Sequence, residues 1–235
     1  MRWLVLLGLL TGCTANPDSL AQRVAQFPDY RQPAYSLTSP DLFYPDWFEG
    51  RWRLTSVLEA VEAPLGVEYT NPTNFARSQT ERGEPVVYYV RFYRDDQGRV
   101  IADRVFNTIS AIQASQGAKS VIEVLLAADQ PDRQTIRLSG NRRGELYITR
   151  RHSERPNPQE FATLEFYRQV LGSLGRIPNT KDVETTTLYQ QSTQTRITAS
   201  QLIAVFLVPT DERYFNSNGR AVTAYRYRLR LDKTS

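Results

Sequence analysis

The stretch 222–231 alternates with a period of two. Thr223, Tyr225, Tyr227, Leu229 and Leu231 share one parity, and Ala224, Arg226, Arg228 and Arg230 the other. Successive side chains of a strand point to opposite faces, so this run predicts a strand with an apolar inner face and a basic outer one. Aromatic and β-branched residues recur in the same manner over residues 51–61, 86–94, 99–106, 120–127, 135–139, 145–151, 161–170, 183–190 and 195–208. Asp95-Asp96-Gln97-Gly98 and Asn141-Arg142-Arg143-Gly144 separate neighbouring runs with residues that tolerate positive φ, as tight antiparallel hairpins require. Successive hairpins make a meander, and a meander of about 8–10 strands loses its exposed edges most simply by closing on itself. The expected fold is all-β, an antiparallel meander closed into a barrel with little helix.

Two stretches depart from simple alternation. Val87, Tyr89 and Tyr93 on one parity and Tyr88, Val90 and Phe92 on the other make the run from Val86 apolar on both sides. Its outer face is expected to be covered, by the N-terminal segment or by a partner. Residues 62–85 carry Pro64, Gly66, Pro72 and Gly83 together with Leu65, Val67, Tyr69 and Phe75. Long loops in compact domains tend to be functional or disordered, and this one is expected to fold over a barrel mouth or to pack as a plain surface loop.

Met1-Arg2 leads into a short apolar run, Trp3 to Leu10, which ends in Leu10-Thr11-Gly12-Cys13. The run is about half the roughly 18 apolar residues expected of a spanning helix. It resembles a bacterial lipobox: a positive n-region, an apolar core, small residues before the scissile bond, and the chain's one cysteine at the position that receives lipid. The resemblance implies removal of residues 1–12, diacylglyceryl transfer to the Cys13 sulfur and acylation of its new amino group. Residues 13–40, with Pro17, Pro28, Pro33 and Pro40 and no sustained period, are expected to be a lipidated tether holding a short helix near residues 19–27, and residues 41–235 the barrel domain. The expected location is the membrane-anchored, exported side: the periplasmic face of an envelope or a thylakoid lumen.

With Cys13 given to lipid, no thiol remains for a disulfide, a cysteine-containing zinc site or a cysteine nucleophile. The basic residues are 26 Arg and 3 Lys, a bias toward planar, bidentate contacts. The net charge of +4 forms no clustered basic footprint with a reading motif, so nucleic acid is not an expected partner. His152, the single histidine, lies in Arg150-Arg151-His152-Ser153-Glu154-Arg155-Pro156 without a Gly-x-Ser-x-Gly elbow and is expected in a solvated loop. Asp95-Asp96 serves a turn, and Arg150, Arg151 and Arg155 form a solvated rim or an anion anchor beside a bilayer. No catalytic residue, metal ligand or cofactor is expected.

Tyr44-Pro45-Asp46-Trp47-Phe48-Glu49-Gly50-Arg51-Trp52 resembles the opening of the lipocalin superfamily, where a short helix enters a first strand carrying Gly-x-Trp. The resemblance implies a barrel whose Gly50 turns the chain into the strand and whose Trp52 closes the floor. That Trp would stack beneath an arginine of the last strand, Arg226, Arg228 or Arg230, with Arg228 the preferred partner. The family's Thr-Asp-Tyr loop motif has only a loose echo in Thr210-Asp211-Glu212-Arg213-Tyr214. The stretch 44–107 is also similar to a family of cyanobacterial and plastid proteins to which no reaction is assigned. Three functions follow as expectations, an enzyme being the last of them. The barrel binds or carries an apolar ligand (lipid, fatty acid or pigment) lined by Trp52, Leu65, Tyr69, Phe75, Tyr89, Tyr225 and Tyr227. Alternatively, it is a non-enzymatic assembly factor, filled by its own aromatics, that docks on a membrane complex, for example a photosynthetic one.

Overall fold

The computed structural model describes residues 19–32, 41–127, 130–173, 175 and 177–234. Cys13 and the lipobox lie outside them. Ten strands form one antiparallel sheet: β1 (Gly50–Glu62), β2 (Pro85–Arg94), β3 (Val100–Ala102), β4 (Val121–Ala127), β5 (Gln130–Leu138), β6 (Arg142–Glu154), β7 (Glu160–Ser173), β8 (Asn179–Thr193), β9 (Arg196–Phe206) and β10 (Thr223–Lys233). Each strand pairs with its neighbour in sequence except across one break, and β1 pairs with β10, so the order runs β3-β2-β1-β10-β9-β8-β7-β6-β5-β4. The meander therefore curls, as the alternation predicts, but first and last strands join while the ring stays open between β3 and β4.

A helix fills the break. Asp103 caps α3 (Arg104–Gln116) by accepting from the Phe106 amide at 3.0 Å, and Gly117, at φ +95°, ends it. The sequence pattern predicts strand over residues 99–106, yet pairing stops at Ala102, because the Asp cap and the i, i+4, i+7 spacing of Val105, Ile109 and Ile112 support a helix instead. Those three residues pack against Val124, Ile136 and Leu138 of β4 and β5. On the other flank, α3 side chains replace a missing strand partner: Ser110 Oγ accepts from the Tyr89 amide at 3.0 Å, and Asn107 Oδ1 from the Arg91 amide at 2.7 Å. An open sheet edge is thereby satisfied without a ladder.

The hairpin at residues 95–98 forms as expected, with Asp95 Oδ1 accepting from the amides of Gln97 and Arg99 at 3.0 and 2.9 Å. The next predicted turn sits slightly earlier than its Gly144 suggests. Gly140 and Asn141 adopt φ +73° and +56°, and Gly144 lies inside β6, where a Cβ would stand 3.2 Å from Leu171 Cδ2.

One end of the barrel is plugged. Phe48, Trp52, Phe92 and Phe161 pack there with Leu231 and Ile197, and Tyr44 meets Phe48 and Phe92 edge-on with centroids 4.9 and 4.8 Å apart. The outside has its own core. Helix α1 (Leu20–Ala25), opened by a Ser19 capping box, lies across β7–β10, and Leu20, Tyr30, Leu164, Phe166, Leu202, Phe206 and Ala224 are buried together there. The Leu20 amide donates to both Glu154 carboxylate oxygens at 3.1 and 3.0 Å, while the Ala221 amide donates to the Tyr30 carbonyl at 2.8 Å. Residues 19–32, read from sequence as part of a tether, are thus docked on the barrel. The N-terminal segment does cover a sheet face, but it is that of β7–β10. Val87, Tyr89 and Tyr93 of β2 remain exposed.

Candidate functional site

Between the plugged end and the opposite mouth lies a cavity of about 370 Å³, lined from the inner faces of nearly every strand and from α3. Its two walls differ in chemistry. Leu54, Val90, Leu146, Ile148, Leu229 and Leu231 make the apolar wall. Tyr167, Thr185, Tyr189, Gln201 and Glu165, from β7, β8 and β9, make the polar one. This division follows from α1: because helix and arm bury Ala162, Leu164 and Phe166 on the outside of β7, the more polar parity of that strand turns inward.

A charged cluster sits in the polar wall. Arg151 is fully buried and reaches Glu165 Oε1 through Nε and Asp132 Oδ1 through Nη1, both at 3.0 Å. From α3, Arg104 pairs with Asp41 and approaches Glu165 Oε1 at 3.5 Å. Burial opposes the Arg104 charge, yet Glu165 and Asp41 hold its pKa above the ordinary arginine value. Arg151 points inward because a bulge between Ile148 and Arg150 shifts the parity of β6. The sequence reading of Arg151 as solvated rim is corrected accordingly. Around the cluster, burial pushes Tyr44 upward and both Tyr88 and Tyr189 up to about 12, so these hydroxyls stay protonated donors at neutral pH.

A smaller cavity, about 190 Å³, lies at the mouth beneath residues 62–85. That stretch is ordered rather than irregular. Asn71 caps α2 (Pro72–Thr80), accepting from the Asn74 amide at 3.0 Å, with Pro72 in its first turn, and the Gly83 amide ties back to the Leu58 carbonyl at 2.9 Å. Tyr69 and Phe75 come together here with Tyr225. Tyr227 stacks on Tyr225 at 6.3 Å between centroids.

The remaining sequence candidates are scattered. Trp52 is buried in the plug, its Nε1 donating to the Phe48 carbonyl at 2.7 Å. Leu65 is half-buried in the loop and lines neither cavity. Tyr89 faces outward, since the inner parity of β2 is Tyr88, Val90 and Phe92, and Arg51 lies over its ring at 4.5 Å. The cation above Trp52 is not Arg228, which bonds Glu59 on the outer face at 2.8 Å; it is Lys233, whose Nζ lies 5.3 Å from the indole. The parity of β10 forces this, because Lys233 shares the inner side with Leu231 while the arginines alternate outward.

Sequence reasoning missed Tyr88, Arg104, Asp132, Glu165, Tyr167 and Tyr189. The parity that places Tyr88 beside Val90 and Phe92 was readable, whereas Glu165 and Arg151 needed knowledge of the outer cover and the bulge. His152 is a β6 residue on the outer face, with Nε2 3.3 Å from Glu154 Oε1, rather than a loop histidine. Among the described residues, no group of three His, Cys, Asp or Glu side chains is arranged to hold a metal ion, and no helix is long and apolar enough to cross a membrane.

No curated protein and no solved structure matches the chain. Residues 36–235 match the family described as a domain of unknown function (DUF6816), and with the whole half-barrel inside that match the chain belongs to this family.

Proposed function

We propose that the half-barrel binds one apolar ligand of lipid, fatty acid or pigment chemistry, and that the protein works tethered to a membrane on its exported side. The observation that carries the reading is the cavity of about 370 Å³ with one apolar and one hydrogen-bonding wall. Ligand sites of roughly 300–1,000 Å³ are commonly apolar with a few placed polar groups. The likeness of Gly50-x-Trp52 to the lipocalin opening supports the same reading, as does the floor built by Phe48 and Trp52.

The tether rests on Leu10-Thr11-Gly12-Cys13. Cys13 is six residues before Ser19, the cap of the docked helix α1. At roughly 3.3–3.6 Å per extended residue, the six residues from Cys13 to Ser19 span at most about 20 Å, so lipid on Cys13 would be a short leash. Two or more acyl chains on that cysteine would give firm anchoring.

The test is extraction of the natively expressed protein in organic solvent followed by mass spectrometry, with metabolic palmitate labelling of wild type and Cys13→Ser in parallel. A stoichiometric apolar compound and Cys13-dependent label are expected. Absence of any bound compound, together with co-purifying membrane subunits, would favour the assembly-factor alternative.

A further inference from the structure

Among the described residues, the break between the edge strands β3 and β4, where the short β3 leaves most of β2 facing β4, is the one place where no strand ladder closes the wall. There, α3 supplies part of the cavity lining through Arg104, Asn107, Thr108 and Ala111. None of its thirteen residues is fully buried. It is held to β2 by side chains, Ser110 on the Tyr89 amide and Asn107 on Arg91, and to β5 by Gln134 Nε2, which donates to Thr108 Oγ1 at 3.0 Å. Displacing a helix so held breaks a few side-chain hydrogen bonds, a small apolar contact and, at its first turn, the Arg104 pairs with Asp41 and Glu165, whereas opening any other part of the wall would break a ladder. The plugged end offers no alternative path, because Phe48, Trp52, Phe92 and Phe161 fill it.

A second observation concerns the rim. Flanking α3 on the β4 side, Ile122 is 61% and Leu125 49% exposed; on the β2 side, Val87 and Tyr89 are 39% and 38% exposed. Cations stand around these apolar side chains. Arg51 lies over Tyr89 and, at 5.6 Å, over Phe106 of α3, and Arg91 lies 5.0 Å from the same Phe106 ring. No carboxylate pairs with Arg51 or Arg53 among the described residues, whereas Arg91 is paired with Asp103 and, on β5, Arg133 with Glu145 and Arg137 with Glu123. Apolar and aromatic side chains interleaved with arginine suit the boundary between acyl chains and anionic headgroups.

We propose that the α3 seam is the portal through which ligand enters and leaves the cavity, and that its rim rests on an anionic phospholipid surface. The portal rests on the ligand-binding reading above; the surface does not. A ligand drawn from a bilayer then passes sideways between β2 and β4 into the barrel, without crossing water and without passing beneath α2.

The test uses the full chain carrying Cys13→Ser, so that introduced thiols are the only ones. Thr108→Cys and Gln134→Cys are joined by dibromobimane, and the release of bound N-phenylnaphthylamine into phosphatidylcholine vesicles, with and without phosphatidylglycerol, is followed by fluorescence. The cross-link is expected to slow release about tenfold or more, a change of ~1.4 kcal/mol in barrier per decade. The reference is the same double-cysteine variant left unreacted, so that both arms carry the same cavity lining. Ser110→Ala, which loosens α3 from β2 without touching the cavity lining, speeds release a few-fold at unchanged equilibrium binding. Tyr89→Glu with Leu125→Glu is expected to abolish co-sedimentation with phosphatidylglycerol-containing vesicles. Probe uptake with release indifferent to the cross-link would overturn the portal alone. No uptake by any variant would overturn the cavity reading and the portal with it. Vesicle binding that ignores phosphatidylglycerol or the Tyr89 and Leu125 changes would overturn the membrane-facing rim.

Discussion

The Arg23 guanidinium lies against the Glu184 carboxylate on the outside of the barrel, Nε 2.9 Å from Oε1, with both side chains nearly shielded from water. Thr186 Oγ1 donates to the same carboxylate at 2.8 Å. This pair fastens the N-terminal arm to β8, and through the arm it decides which parity of β7 faces inward. Losing one member of a buried ion pair typically costs about 3–5 kcal/mol, because the survivor is left charged and unsolvated. Arg23→Met and Glu184→Met should each lower the free energy of urea unfolding by about that much, and the double replacement should recover most of the loss. A double variant no more stable than either single one would mean that the pair contributes more than mutual neutralisation.

Alkaline pH should unfold the barrel through its buried phenols. Burial is the main force pushing Tyr88, Tyr189 and Tyr227 up to about 12. Below about pH 10 both folded and unfolded chains keep these protons, so stability is unaffected there. Between about pH 10 and 12 the unfolded chain releases them while the folded one does not, so stability falls by about 1.4 kcal/mol per pH unit for each phenol. Urea midpoints measured across this range, with phenolate absorbance as a second signal, should drop steeply above pH 10. Replacing Tyr227 by Phe should make the decline shallower.

Much of this architecture is legible in the alternation itself. β10 reads correctly residue by residue, and the strand count follows from nine more runs of the same kind. β7 is harder. Its parity of Ala162, Leu164 and Phe166 is the more apolar one, yet it faces out because α1 covers it, which leaves Thr163, Glu165 and Tyr167 inside. A covered outer face removes the usual link between hydrophobicity and direction. Helix α3 was hidden because Val105, Ile109 and Ile112 are interspersed with Asn107, Thr108 and Ser110, and Val100 and Ile101 just before Asp103 are strand formers. Tyr69 and Phe75 were legible because proline and glycine punctuation marked their loop, and Tyr225, which lines the same small cavity, because β10 alternates. The charged cluster was not, since it assembles from five separate segments and depends on the β6 bulge.

Gly50 should be intolerant of a side chain. It holds φ +121° at the entry to β1, and a Cβ there would stand 3.0 Å from Lys233 Cε. The first constraint is the larger, because an L-residue held in so sparsely populated a region costs about 1–3 kcal/mol. The second presses on the side chain whose ammonium sits over Trp52. Gly50→Ala should therefore lower the thermal midpoint and broaden the Trp emission of the plug. Lys233→Gln should lower the midpoint by less, in keeping with a cation–π contact of about 0.5–2 kcal/mol.

Filling the cavity should separate ligand binding from stability. Ile148 projects from β6 into the cavity, above the bulge that turns Arg151 inward. In a fully packed core, enlarging such a side chain typically costs about 1–3 kcal/mol through forced rotamers and backbone shifts. Here a cavity of about 370 Å³ stands in front of it, and an aromatic side chain is well suited to a strand. Ile148→Trp should thus leave the urea midpoint close to wild type while abolishing uptake of N-phenylnaphthylamine. Retained uptake would place the ligand elsewhere, beneath α2 beside Tyr69 and Phe75. A loss of stability as large as in a packed core would show that the two walls close on each other in solution, with the aromatic interior filling its own barrel.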